Sequence, residues 1–148
     1  MALAKRIAVT LPAGPRIEDT VSRIQWAEEQ GIADAWFSDS GAPDTLTQVA
    51  AIAHQTKNIR IGTAVTPVYT RSPSVLAASA NVIGQLLPDR FVMGLGSSSQ
   101  TIMGQFNGIP LDKPLTRVRE TAELVKICLL YSSPSPRDDE QSRMPSSG

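Results

Sequence analysis

The 148-residue chain has one cysteine and one histidine. Cys128 can form no intramolecular disulfide, and His54 has too few partners for a zinc site, so metal chemistry is not expected. Cysteine usage also says nothing about redox compartment. An excess of charge of one sign is missing too, because 14 basic residues balance 14 acidic ones. They are scattered along the chain and offer no continuous positive surface to phosphate backbones or anionic lipid. Nucleic acid and membrane are therefore not expected as partners. No apolar run is long enough to span a bilayer, and the stretch after Arg6, broken by Pro12, lacks the apolar core of a signal peptide. The expected location is the cytoplasm. At 41% apolar and 19% charged residues, the composition is that of a globular domain.

What is present is an alternation. Short apolar, β-branched runs at 6–11 (RIAVTL), 34–39 (DAWFSD), 59–66 (IRIGTAVT) and 90–96 (RFVMGLG) read as strands. Between them, 17–30, 45–56 and 72–87 have the three-to-four spacing of amphipathic helices, and 115–126 supplies a fourth after a longer loop. Gly31 stops the first helix, and Ser72-Pro73 opens the third as an N-cap followed by proline. Strands apolar on both faces and alternating with helices predict an α/β fold with a parallel sheet built from right-handed crossovers. The strand starts lie roughly 30 residues apart, close to the ~31 per unit obtained by dividing a ~250-residue eightfold barrel by eight. An open doubly wound sheet has similar spacing. If the fold is a barrel, four βα units are half of one.

From residue 128 the pattern breaks. CLLYSSPSPRD and then SRMPSS have the composition of disorder, and the wording resembles the in-frame translation of a sequencing adapter. The expected division is therefore a partial barrel domain over 1–127 and a non-native or disordered tail over 128–148.

Ligands of α/β sheets sit at the carboxyl ends of the strands. Here these ends hold Thr10 to Pro12, Ser38 to Ser40, Thr63 to Pro67 and Gly94 to Ser99, all small or polar apart from Leu11, Val65 and Leu95. Such a rim suits a flat ligand that approaches the backbone closely. Asp39, the one carboxylate among these ends, can accept a hydrogen bond or act as a general base, or it can serve as a helix cap or turn residue before Gly41. Gly94-Leu95-Gly96 with Ser97, Ser98 and Ser99 can turn amides and hydroxyls toward an anion or a flavin-like ring. It is not a dinucleotide fingerprint, because Ser99 occupies the third glycine position and no helix is expected to open there. The run from Gly62 to Pro67 reads as a bulge or kink at the sheet edge, or as an ordinary strand end. Arg71 and Tyr69, in the loop that follows, either contact an anionic substrate or are solvated. His54 reads as a surface or capping residue, and Trp26 and Trp36 as core.

No serine, histidine and acid are brought together by these loops, so a hydrolytic triad is not supported. A glycine-rich rim with few ionisable groups suits a cofactor that brings its own reactivity. A non-enzymatic α/β binding module remains an alternative. A dinucleotide enzyme with an open sheet is opposed by the glycine pattern and by the lack of an acidic residue soon after a matching loop.

Four blocks, AEEQGIADAWFSD (27–39), IRIGTAVTPVYTRSP (59–73), LPDRFVMGLGSSS (87–99) and GIPLDKPLTRVRETAELVK (108–126), resemble the N-terminal half of the bacterial-luciferase-like oxidoreductases. The third block resembles their deazaflavin-dependent branch, such as the methylenetetrahydromethanopterin reductases. The resemblance covers about residues 6–126. It implies the N-terminal half, four βα units with parallel strands, of a TIM (β/α)8 barrel whose parent is often a homodimer. It also implies a deazaflavin (coenzyme F420) or FMN at the strand ends, passing hydride to a small organic substrate or, with FMN, supporting monooxygenation. By the same resemblance Asp39 meets the polar edge of the ring, and the peptide joining Ala64 and Val65 is a non-prolyl cis bond at a bulge behind one ring face. Thr66, Gly96, Ser97 and Ser98 complete the near wall. The rest of the pocket belongs to strands five to eight, so the chain taken alone is expected to be inactive.

Overall fold

The computed structural model describes residues 6–40 and 43–132. Gly41 and the expected tail beyond residue 132 lie outside the described residues. In chain order the elements are β1 (Ala8–Thr10), α1 (Ile17–Glu29), β2 (Asp34–Phe37), α2 (Thr45–Ile52), β3 (Arg60–Thr63), β4 (Thr66–Pro67), α3 (Pro73–Leu86), β5 (Phe91–Val92), β6 (Leu95–Gly96) and α4 (Pro114–Ser132). A 3-10 turn, Ala53–Gln55, extends α2, and a π-helical turn, Thr101–Phe106, follows β6.

Every strand pairing among the described residues is parallel. One sheet has the order β1-β2-β3-β5 and a smaller one pairs β4 with β6. In register, Ala35 lies between Val9 and Ile61, and Gly62 pairs with Val92. Paired neighbours in each sheet are joined through a helix, as parallel pairing requires. The two longer expected strands are each divided. Residues 59–66 become β3 and β4, and 90–96 become β5 and β6, with β4–β6 pairing Thr66 with Leu95 and Pro67 with Gly96.

The helices form where the pattern places them, for local reasons. α1 buries Thr20, Ile24 and Ala27, one stripe at helical spacing, and ends where Gly31 takes φ 71° and donates its N–H to the Glu28 carbonyl at 2.9 Å. Asp44 caps α2 by accepting from the Thr47 N–H at 2.9 Å, and Ser72 caps α3 ahead of Pro73. Successive helices pack against one another along one face of the sheet. Phe37, Ile61, Ile24, Val49, Ile52, Leu76, Ile83 and Leu87 form the core.

Two details differ from the sequence expectation. Trp26 is 52% exposed rather than core, because it sits one residue off the buried stripe of α1. Trp36 does pack, with its ring lying where a Cβ on Gly62 would stand 2.5 Å from Cζ3. α4 runs to Ser132 rather than ending near Lys126, and Cys128 and Leu129 pack against the core. Residues 128–132 are therefore helical, and Cys128 and Leu129 extend the packed face to which Val125 belongs.

Glu28 at the end of α1 ties that helix to β3. Its carboxylate accepts from the backbone N–H groups of Lys57, Asn58 and Ile59 at 2.6 to 3.1 Å. Burial pushes the Glu28 carboxyl up, and the three amides outweigh it, leaving it below its ordinary value. Glu28→Ala is expected to cost about 1–3 kcal/mol at neutral pH, measured by urea unfolding. A lowered native pKa contributes stability above the unfolded value near ~4.3 and loses it as pH falls through the native one. The gap between wild type and variant should therefore close on acidification.

Between β3 and the end of β5 the backbones nearly touch, and a Cβ on Gly94 would lie 2.1 Å from the Thr63 carbonyl oxygen. Gly94→Ala should cost about 1–3 kcal/mol, because backbone cannot step aside. Gly84 in α3 has open space around its Cβ position. Gly84→Ala should stabilise by roughly 0.5–1 kcal/mol in the same unfolding assay.

Candidate functional site

Parallel strands put all their carboxyl ends on one rim, and the residues singled out in the sequence lie there. The β3–β4 break sets the geometry. Ala64 donates its N–H to the Phe37 carbonyl at 2.8 Å, and the peptide joining Ala64 and Val65 is cis. Thr66 then donates to the Gly94 carbonyl at 2.7 Å and Val68 to that of Gly96 at 2.9 Å. This chain path presses Val65 onto Gly96, where an added Cβ would lie 2.5 Å from Val65 Cγ2. Val65 is 37% exposed. Its apolar face and the glycine backbone thus form one small platform at the rim.

Ser97 and Ser98 follow, both half-buried. Ser98 has φ 62°, a left-handed conformation uncommon outside glycine, and Ser97 Oγ donates to its carbonyl at 3.3 Å. Thr66 is fully buried, and its hydroxyl has no hydrogen-bond partner among the described residues. A helical turn does open after this segment, contrary to expectation. Ser99 Oγ accepts from the Ile102 N–H at 3.2 Å at the start of Thr101–Phe106.

Asp39 stands at the end of β2 with its side chain 2% exposed. It is not a helix cap; Asp44 has that role. Its partner is Arg71, which the sequence left between substrate contact and solvent. The Arg71 side chain is 19% exposed, and its Nη1 donates to Asp39 Oδ2 at 2.7 Å. Its Nη2 donates to Asp44 Oδ1, whose other oxygen accepts from the Thr47 N–H and hydroxyl. Burial pulls the Arg71 guanidinium down, and the two carboxylates outweigh it, so its pKa is raised. Burial likewise pushes Asp44 up while Thr47 and Arg71 hold it below its ordinary value. Thr45 Oγ1 donates to the Ser38 carbonyl at 3.1 Å and fastens the start of α2 to the same strand end.

Beside this cluster is a cavity of about 180 Å³ lined by Asp39, Ser40, Pro67, Thr70, Arg71, Met103 and Asn107. Asn107 Nδ2 donates to the Ile102 carbonyl at 2.6 Å and fixes that wall. A second hollow of about 380 Å³ joins the ends of β1 and β2 through Thr10, Pro12, Ser38 and Ser40. Met103 and Asn107 carry no sequence signal, since the segment after Ser99 lacks a readable period. Tyr69 turns away from the cavity, its hydroxyl donating to the Asp112 carbonyl while Arg117 stacks 5.8 Å from its ring centre. His54 is exposed at the end of α2. The rim thus offers an apolar and glycine platform, a buried carboxylate held by an arginine, and hydroxyl and amide groups between them.

No helix among the described residues is long and apolar enough to cross a membrane. The chain is 30% identical over 101 residues to a 5,10-methylenetetrahydromethanopterin reductase of Methanolobus tindarius, covering 68% of this chain and 31% of that protein. The structure of a coenzyme F420 dependent tetrahydromethanopterin reductase from Methanopyrus kandleri superposes with a TM-score of 0.75 at 21% identity, covering 81% of this chain and 39% of that one. The oxygenating constituent of 3,6-diketocamphane monooxygenase of Pseudomonas putida, solved with FMN, gives 0.68 at 21%, covering 84% and 39%. The chain spans about a third of the length of the curated relatives it matches. Its α/β architecture is a partial TIM barrel of parallel strands, as these superpositions show. The model of the luciferase-like monooxygenases matches residues 1–138, running through every strand end described above and past the boundary expected near residue 127. The chain belongs to the luciferase-like monooxygenase family.

Proposed function

We propose that this chain forms the N-terminal half of an oxidoreductase barrel that holds a deazaflavin of the F420 type at its strand ends and exchanges hydride with a small organic substrate. The observation that carries the reading is the contact of Val65 with Gly96 beside the cis peptide. It is a flat surface that any larger residue at 96 would fill. Ala64 and Val65 back one face of a planar ring there. Gly96, Ser97 and Ser98 form the near wall, and Thr66 supports it from beneath. Asp39 lies at the polar edge as a hydrogen-bond acceptor. When bound, the ring supplies the two-electron chemistry, for which these side chains have no groups of their own. The residues orient it and keep one face covered.

The F420 reading is favoured by the reductase relatives. A second reading, FMN with monooxygenation, is favoured by the diketocamphane enzyme's likeness in fold. The parent enzyme is a homodimer of the cytoplasm in either reading.

Titration of the 148-residue chain with oxidised and reduced F420 and FMN should show no micromolar binding, because half the rim is contributed by four further βα units. Micromolar binding by the chain alone would contradict this half-site reading. The complete reading frame should bind F420 and change its visible absorbance on adding a reducible or oxidisable partner; a complete protein inert toward both cofactors would overturn the proposal. In that protein Gly96→Ala should weaken cofactor binding by about tenfold, roughly 1.4 kcal/mol, as Val65 is displaced.

A further inference from the structure

We propose that Arg71 is a positioning residue for the cofactor site, acting through Asp39. This inference rests on the functional reading above and deepens it. Three observations carry it. Arg71 forks between two carboxylates on different elements, Asp39 at the end of β2 and Asp44 at the start of α2. Both members of the Arg71–Asp39 pair are largely withdrawn from solvent, where a single buried carboxylate would be costly. The pair takes only Oδ2 of Asp39, and Oδ1 accepts no hydrogen bond within the described residues.

These facts assign a division of labour. A guanidinium is planar, permanently charged and able to reach two acceptors at fixed angles. Arg71 therefore fixes the rotation of the Asp39 carboxylate. Oδ1 is the carboxylate atom that Arg71 leaves without a hydrogen bond, on a residue that lines the 180 Å³ cavity together with Ser40, Thr70 and Asn107. That atom suits an N–H or O–H donor on the polar edge of a bound ring. The link through Asp44 makes the same arginine hold the α2 cap, so the acceptor's position is referred to the helix layer rather than to a loop. Arg71 itself does not touch the ring in this scheme.

The test is a double-mutant cycle in the complete reading frame, with F420 and FMN dissociation constants and a urea midpoint measured for each variant. Arg71→Lys keeps a cation but not the fork, and is expected to fold and to weaken binding of the preferred cofactor about tenfold, the scale of one charge-assisted hydrogen bond. Asp39→Asn should weaken binding similarly. In the Asp39→Asn background, Arg71→Lys should weaken it less than about twofold further, because the acceptor it positions is already lost. A structural role moves the urea midpoint in both backgrounds and lowers affinity equally in both; equal losses overturn the assignment while leaving the cofactor reading intact. Binding of FMN alone, with the same non-additivity, replaces F420 and keeps the role of Arg71. Failure of the wild-type protein to bind either ring overturns the cofactor reading and this assignment together.

Discussion

Parallel pairing is the constraint from which the rest follows. Two parallel neighbours cannot be joined by a tight turn, so every strand must return through a crossover, and a helix is the compact way to make it. Because all crossovers have the same hand, the helices share one face and the strands share one direction. The carboxyl ends of β2, β4 and β6 therefore come to one rim. The buried side chains between the layers, Phe37 and Ile61 against Ile24, Val49 and Leu76, hold the two layers in register. A site at that rim is positioned by the core, although its own residues contribute little apolar burial.

Within that frame the rim depends on how closely backbones approach. Gly94 lies against the Thr63 carbonyl, and Gly96 against Val65. Neither place has room for a Cβ, so the two glycines decide where β4 and β6 run after the break in the main strands. Hydrogen bonds from Thr66 and Val68 to the carbonyls of Gly94 and Gly96 complete the ladder there. The apolar platform is a consequence of this packing. The ionic cluster of Arg71, Asp39 and Asp44 supplies the polar counterpart at the same level. Its two acidic partners face one cation, so removing that cation would leave the buried Asp39 carboxylate without a counter-charge, whereas the more exposed Asp44 would keep Thr47 and water.

Much of this was legible in the residues. The period of three to four in α1, the Ser72-Pro73 start of α3 and the β-branched runs located nearly every element, because local burial patterns need no knowledge of partners. The small residues and proline of Gly62 to Pro67 allowed a bulge or kink or an ordinary strand end, and the structure shows a break there. The role of Arg71 was not legible. Its two carboxylates lie far away in sequence, at 39 and 44, and an arginine in a loop has the same local signature whether it is solvated or enclosed. Met103 and Asn107 were hidden for a similar reason, since a π-helical turn has no repeat to recognise. Trp26 misled because residue type suggested burial while its angular position on α1 opposed it.

Periodicity, turn chemistry and composition by themselves determined the α/β class, the four units and the small-residue strand ends, because each of these is encoded over a few neighbouring residues. Tertiary structure alone decided that residues 59–66 and 90–96 each divide into two strands, that α4 continues to Ser132, and that Arg71 closes on Asp39 and Asp44. These depend on which surfaces meet when distant segments pack, and contact of that kind leaves no mark on the order of residues along the chain.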